Sequence, residues 1–163
     1  MILQETRPIR VLFVCLGNIC RSPMAEAVLR HKVAAAGLSE QIEVDSAGTG
    51  DWHIGKAPHY GTLGILGEKG INAEGMVGRQ VSGDDLAAFH YVLTMDARNL
   101  AGVQALNAPS VRATVAPLME YAPETGVEEV PDPYLTGGFP EVYRLIDAAC
   151  DGLLSAIRRD HGL

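Results

Sequence analysis

The chain has 163 residues, 47% of them hydrophobic and 20% charged, which suits one globular domain with a proper core and argues against disorder. Its formal net charge is −7, so no broad surface for nucleic acid or acidic membrane is expected. No apolar run reaches the roughly 18 residues of a membrane span, and Met1 to Arg10 lacks the apolar stretch of a signal peptide. Residues 1–8 read as a loose lead-in and 9–163 as a single domain. Ile9 to Val14 forms the first strand; its Val11-Leu-Phe-Val14 run suits burial on both faces. Ser22-Pro23 reads as an N-cap followed by a first helical residue, opening a helix to about Ala36 that Gly37 closes. Ile42 to Asp45 is a second strand, followed by a turn-rich stretch to Gly55. Pro58 to about Lys69 predicts a helix, although Gly61, Gly64 and Gly67 weaken it. Arg79 to Val81 is extended, and Ser82 caps a short helix through Phe89. Tyr91 to Met95 is a third buried strand, and Asp96 caps a helix from Ala97 to about Leu106. Val111 to Ala116 is a fourth strand, and 120–138 is loop-like with several prolines and glycines. The last helix runs from about Phe139 to Arg158, where Val142, Ile146, Ala149, Leu153 and Ile157 make one apolar stripe. Alternating strands and helices predict an α/β fold with a parallel sheet, ligands at the carboxyl ends of the strands, and right-handed crossovers.

Six residues, Leu16 to Arg21, must join the first strand to the first helix. Such a loop turns its backbone N–H groups towards one point, and the helix N-terminus adds positive charge there, which makes a site for a tetrahedral oxyanion. Cys15 stands at its mouth and Arg21 at its far end. A thiol aimed into such a nest should ionise readily, and a guanidinium fork can hold two phosphate oxygens. Gly17 and Asn18 suit positive φ angles. An isolated cysteine with an arginine six positions on is more simply a buried thiol and a surface ion pair. Strand, glycine, asparagine and helix start in register favour in-line phosphoryl transfer instead.

Cys15-Leu-Gly-Asn-Ile-Cys-Arg-Ser-Pro-Met-Ala-Glu26 resembles the signature of the low-molecular-weight protein tyrosine phosphatases, and the similarity extends over nearly the whole chain. The resemblance implies a four-stranded parallel twisted sheet with helices on both faces and a phosphate loop after strand 1. It implies a cysteinyl-phosphate mechanism acting on phosphotyrosine proteins and small aryl phosphates. Cys15 is then the nucleophile, and Arg21 with the amides of Leu16, Gly17, Asn18, Ile19 and Cys20 binds phosphate. Asp132 in Val130-Pro-Asp-Pro-Tyr134 is otherwise readable as a solvated turn aspartate; the family's Asp-Pro-Tyr makes it the general acid, and the flanking prolines aim it. Trp52, Tyr134 and Ile19 would line the cleft, with His53 touching substrate. Leu135 stands where the family carries a second aromatic.

Ser22 can serve as N-cap, as hydrogen-bond donor to the thiolate, or both. Asn18 would adopt a left-handed conformation in a network with Ser46. A histidine usual shortly before the Arg79-Gln80 pair is missing, so that network lacks a member or another residue substitutes. Cys20 could form a reversible disulfide with Cys15 or simply fill a tight loop, and Cys150 reads as core. Three cysteines suit a reducing cytoplasm. The histidines show no metal-ligand spacing, so no metal or other cofactor is expected. Related alternatives are an arginine phosphatase, whose family branch carries a small hydroxyl residue where this chain has Ile19, and a thiol-dependent arsenate reductase, which would need further cysteines. A non-catalytic phosphotyrosine-binding module is a third, argued against by Cys15, Arg21 and Asp132 standing together. The chain is expected to act as a monomer.

Overall fold

The computed structural model describes residues 7–163, so the lead-in expected at 1–8 falls mostly outside the described residues. The elements in chain order are β1 (Ile9–Cys15), α1 (Arg21–Ala35), β2 (Ile42–Gly48), α2 (Tyr60–Glu68), α3 (Gly83–Ala88), β3 (Tyr91–Thr94), α4 (Ala97–Gln104), β4 (Thr114–Pro117), α5 (Pro133–Thr136) and α6 (Phe139–His161). All strands are parallel, in the order β2-β1-β3-β4. β1 is central, and its alternating side chains explain why. Val11, Phe13 and Cys15 enter a large core built with α1, α2 and α6, whereas Leu12 and Val14 enter a smaller core built with Leu86, Phe89 and Val103 on the other face. Val11 to Val14 are each 0% exposed, as a strand covered on both sides requires. Removing a ring such as Phe13 from this position would cost about 3–5 kcal/mol.

Several boundaries differ from the sequence-based expectation. α1 begins at Arg21 rather than Pro23, with Cys20 as N-cap and no side-chain cap bond. Ser22 is inside the first turn because its hydroxyl is engaged with Cys15 and Asn18. Pro23 is still tolerated, since the first helical N–H groups have no intrahelical acceptor. β2 continues through Ser46 and Ala47 to Gly48, pairing Cys15 with Gly48 in register. This extension puts Ser46 behind the loop that follows Cys15. β4 starts at Thr114, since Val111 is solvent-exposed and finds no core partner there. α2 survives its glycines, and one of them is needed. A Cβ at Gly61 would sit 2.5 Å from the Phe139 ring. The stretch expected to be loop over 120–138 contains 3-10 turns at Leu118–Tyr121 and Pro123–Thr125, and the single-turn helix α5, which Asp132 caps by accepting from the Tyr134 N–H. α6 runs on to His161, where Gly162 at φ 67° ends it. No helix among the described residues is long and apolar enough to cross a membrane.

Candidate active site

Residues 16–20 close a tight turn at the carboxyl end of β1, and its carbonyls are tied outward. Cys15 and Leu16 carbonyls accept from the Thr49 and Gly50 N–H groups at 2.9 Å. The Ile19 carbonyl accepts from the His59 N–H at 2.7 Å, and the Cys20 carbonyl accepts from Thr62 Oγ1 at 3.0 Å. Carbonyls held outward leave amides facing inward. The N–H groups of Gly17, Ile19 and Cys20 have no acceptor among the described residues. With the start of α1 beside them, they form a concavity suited to an anion. Gly48 allows the turn to lie this close: a Cβ there would be 2.8 Å from the Leu16 carbonyl oxygen.

Asn18 is the only non-glycine residue with positive φ among those described, at 56°. Its side chain explains how that conformation is held. Oδ1 accepts from the Arg79 N–H at 2.9 Å, which fixes the amide's orientation because a main-chain N–H can only donate. Nδ2 therefore donates to Ser22 Oγ at 2.8 Å and to Ser46 Oγ at 2.9 Å. Ser46 passes its own proton to Glu26 Oε1 at 2.6 Å. Ser22 Oγ lies 3.0 Å from the Cys15 sulfur and 3.4 Å from the Ala47 carbonyl oxygen, so its one hydroxyl hydrogen has two acceptors in reach, of which the sulfur is the nearer. The Asn18 N–H also donates to Cys15 Sγ, at 3.3 Å. No histidine among the described residues takes part in this network; the Arg79 main-chain N–H is the donor to Asn18 Oδ1.

Arg21 is 3% exposed and held on three sides. One guanidinium nitrogen donates to Asp96 Oδ2 at 2.7 Å and to the Val130 carbonyl at 2.9 Å, while the other lies 3.7 Å from Asp132 Oδ2. Asp96 does two jobs, since its Oδ1 caps α4 by accepting from the Asn99 N–H. Cys15, Leu16, Gly17, Ile19, Cys20, Arg21, Trp52, His53, Asp132 and Tyr134 all face one cleft of about 390 Å³. Trp52 and Tyr134 are about 60% exposed on its rim, and Leu135 points away to solvent at 80%. A Cβ at Gly50 would collide with the Trp52 ring, so that glycine lets the indole fold back over the loop. All three cysteines are free thiols. Burial, followed by the charges of Cys15 and Asp132, pushes the Cys20 thiol up to about 12 against the smaller pull of Arg21, so Cys20 stays protonated near neutral pH. Cys150 is fully buried in α6, and its thiol is pushed up by burial.

The cleft brings together Cys15, Leu16, Gly17, Ile19, Cys20, Arg21, Trp52, His53, Asp132 and Tyr134, whereas Ser22, Asn18 and Ser46 lie behind it, and the Asn18 N–H is directed to the Cys15 sulfur. Asp96, Glu26, Arg79 and Gly48 were not anticipated in the site. A signal existed for Asp96, which follows the carboxyl end of β3, where ligands of parallel sheets gather. The other three depend on chain crossings that no local pattern announces.

A thiol at the base of an amide nest, an arginine clamp and a carboxyl at the opening define a cysteine-dependent phosphatase loop on a parallel α/β sheet. Residues 10–162 match the family model of the low molecular weight phosphotyrosine protein phosphatases, and the chain belongs to that family. It is 47% identical over 155 residues to the low molecular weight protein-tyrosine-phosphatase YfkJ of Bacillus subtilis, spanning 95% of this chain and 99% of that protein. It is 41% identical to PtpA of Staphylococcus saprophyticus over 95% of this chain and 97% of that one. The crystal structure of YfkJ superposes with a TM-score of 0.92 at 46% identity, covering 96% of this chain and 99% of the other. A Drosophila arginine phosphatase superposes with a TM-score of 0.86 at 35% identity, covering 92% and 98%.

Proposed function

We propose that the chain hydrolyses phosphotyrosine in proteins and small aryl phosphates through a cysteinyl-phosphate intermediate. The observation that carries this reading is the convergence of Cys15, Arg21 and Asp132 on one cleft. Cys15 Sγ, as thiolate, attacks phosphorus in line while the bond from phosphorus to the phenolic oxygen breaks. Arg21 and the loop amides hold the three equatorial oxygens as their charge redistributes. Asp132, protonated for this step, gives its proton to the departing phenolate, whose conjugate acid has a pKa of about 10. The Asp132 carboxylate then takes a proton from water as the water oxygen attacks phosphorus. The S–P bond breaks, the Ser22 hydroxyl stabilises the returning thiolate, and inorganic phosphate leaves. Ser22 thus acts on the nucleophile rather than as a helix cap, and Asn18 and Ser46 act by holding Ser22 and the loop.

Substrate class is supported by the walls. Leu16, Ile19, Trp52 and Tyr134 offer apolar and aromatic surface to a phenyl ring, with His53 beside Gly17 at the inner edge. Ile19 gives a flexible phosphoguanidine no polar partner in the loop. We further propose that the enzyme works as a monomer, since one chain supplies every cleft residue. Its three free thiols suit the reducing cytoplasm, and its net charge of −7 does not favour nucleic acid or acidic membrane as a partner.

Initial rates on a phosphotyrosine peptide and a phosphoarginine peptide, for wild type, Asp132→Ala and Ile19→Thr, test this. The phosphotyrosine rate should dominate and fall by roughly 10² or more in Asp132→Ala. Ile19→Thr should shift preference towards phosphoarginine. A wild-type preference for phosphoarginine would overturn the substrate assignment.

A further inference from the structure

Helix α2 supplies no group to the chemistry described above, yet its first turn touches both loops of the site. His59 is its N-cap. The His59 main-chain N–H donates to the Ile19 carbonyl at 2.7 Å, and the fully buried Thr62 donates to the Cys20 carbonyl at 3.0 Å. The helix start is therefore bonded to two successive carbonyls of the phosphate loop. His59 Nδ1 accepts from the Gly61 N–H at 3.0 Å, which puts the ring proton on Nε2 and fixes the ring's rotation.

From that anchored position the ring reaches the acid loop. It stacks on Phe139 at 5.2 Å and 16°, and meets Tyr134 edge-on at 5.7 Å and 79°. Tyr134 lies within α5, and Phe139 follows it at the start of α6. The Tyr134 N–H donates to Asp132 Oδ1. The other hydrogen bonds found between Asp132 and Phe139 stay within the segment: Thr136 to the Asp132 carbonyl, Gly137 to the Pro133 carbonyl, and Phe139 to the Gly137 carbonyl. Beside the Asp132–Arg21 pair and the burial of Pro133, the His59 ring thus ties this segment to the phosphate loop. The absent Cβ of Gly61 is what lets Phe139 come this close.

We propose that His59 is a positioning residue for the general acid: its ring ties the acid loop to the phosphate loop and so sets where the Asp132 carboxyl stands. The inference rests on the reading of Asp132 as the acid. It makes a prediction that a plain structural role does not. A misplaced acid matters for a basic leaving group and little for one that departs unprotonated, whereas a damaged phosphate loop affects both. Phenyl phosphate and 2,4-dinitrophenyl phosphate are such a pair, and inorganic phosphate inhibition reads the loop separately.

The experiment compares kcat/KM on both substrates, and inhibition by inorganic phosphate, for wild type, Asp132→Asn, His59→Ala, His59→Asn and His59→Phe. His59→Ala should lower the phenyl to dinitrophenyl ratio by about tenfold, a fraction of the full 10² to 10⁴ that an acid supplies. Its phosphate inhibition should change by no more than about twofold, since ground-state anion binding is not what is lost. Asn keeps the N-cap acceptor without the ring and should lose the ratio as Ala does. Phe keeps the ring without the cap and should restore most of it. An unchanged ratio in His59→Ala, rescue by Asn rather than Phe, or equal loss on both substrates with weakened phosphate inhibition would each overturn the proposal. If Asp132→Asn itself leaves the ratio unchanged, the acid assignment falls and this inference falls with it. If Asp132→Asn lowers the ratio and His59→Ala does not, the His59 inference alone fails.

Discussion

The phosphate loop and the acid loop face one another across the cleft and are built by opposite rules. In the phosphate loop Asn18, Cys20 and Arg21 are all under 5% exposed, and four of its carbonyls are tied to donors from other parts of the chain. In the acid loop Tyr134 and Leu135 stand in solvent, most hydrogen bonds are local, and glycine at 137 takes a left-handed turn. The difference follows from what each must do. Donors aimed at developing charge help most when they need no reorganisation, so the anion nest is rigid before substrate arrives. On the proposed mechanism the acid must admit a bulky substrate, protonate its leaving group and then receive water, which suits a segment whose hydrogen bonds are mostly its own.

Substitutions at four positions can break or sharpen this contrast. The largest effect is expected for Cys15→Ser, which removes the nucleophile but not the nest. Turnover should fall by more than roughly 10⁴, while inorganic phosphate still binds in a calorimetric titration. Near-wild-type turnover in this variant would end the covalent mechanism. Asp96→Asn comes next. It keeps an acceptor for the α4 cap but removes the charge beside buried Arg21. We expect a loss of about 1–3 kcal/mol in stability, as for a weakened charged hydrogen bond, measured by urea unfolding together with reduced kcat/KM. Unchanged stability and rate would mean the Val130 carbonyl alone holds the guanidinium.

A paired test addresses the backbone of the rigid loop. Asn18→Gly and Asn18→Ala both remove the three side-chain hydrogen bonds, but only alanine must be forced to a φ near 56°. Alanine should be the less stable of the two by about 1–2 kcal/mol. Equal melting curves would show that the loop changes conformation once Asn18 is gone. The smallest effect is expected in the acid loop. Leu135→Ala, at a residue 80% exposed, should move stability by less than about 0.5 kcal/mol. A larger loss would show that this rim is packed in solution.

How much of this was readable in advance depends on how local each signal is. β1, with its run of apolar residues and the Cys15-to-Pro23 stretch, announced a buried strand, a turn and a helix because each is written in consecutive residues. The prolines around Asp132 and the apolar stripe of α6 were legible for the same reason, and so was the parallel α/β architecture that alternating elements imply. Even there the helix start was misjudged by two residues, because Ser22 has two possible partners and only the surroundings of Cys15 decide between them. The remaining members of the site were settled by tertiary structure. Asp96 meets Arg21 across 75 positions, the Arg79 N–H meets Asn18 across 61, and Ser46 meets it across 28. These meetings follow from the parallel register that sets Cys15 beside Gly48 and Val14 beside Thr94. His59 belongs to the same class. A sequence states which side chains can donate, accept or stack, but orphaned groups at the end of a strand or helix take whatever partner the packing of distant segments brings within reach.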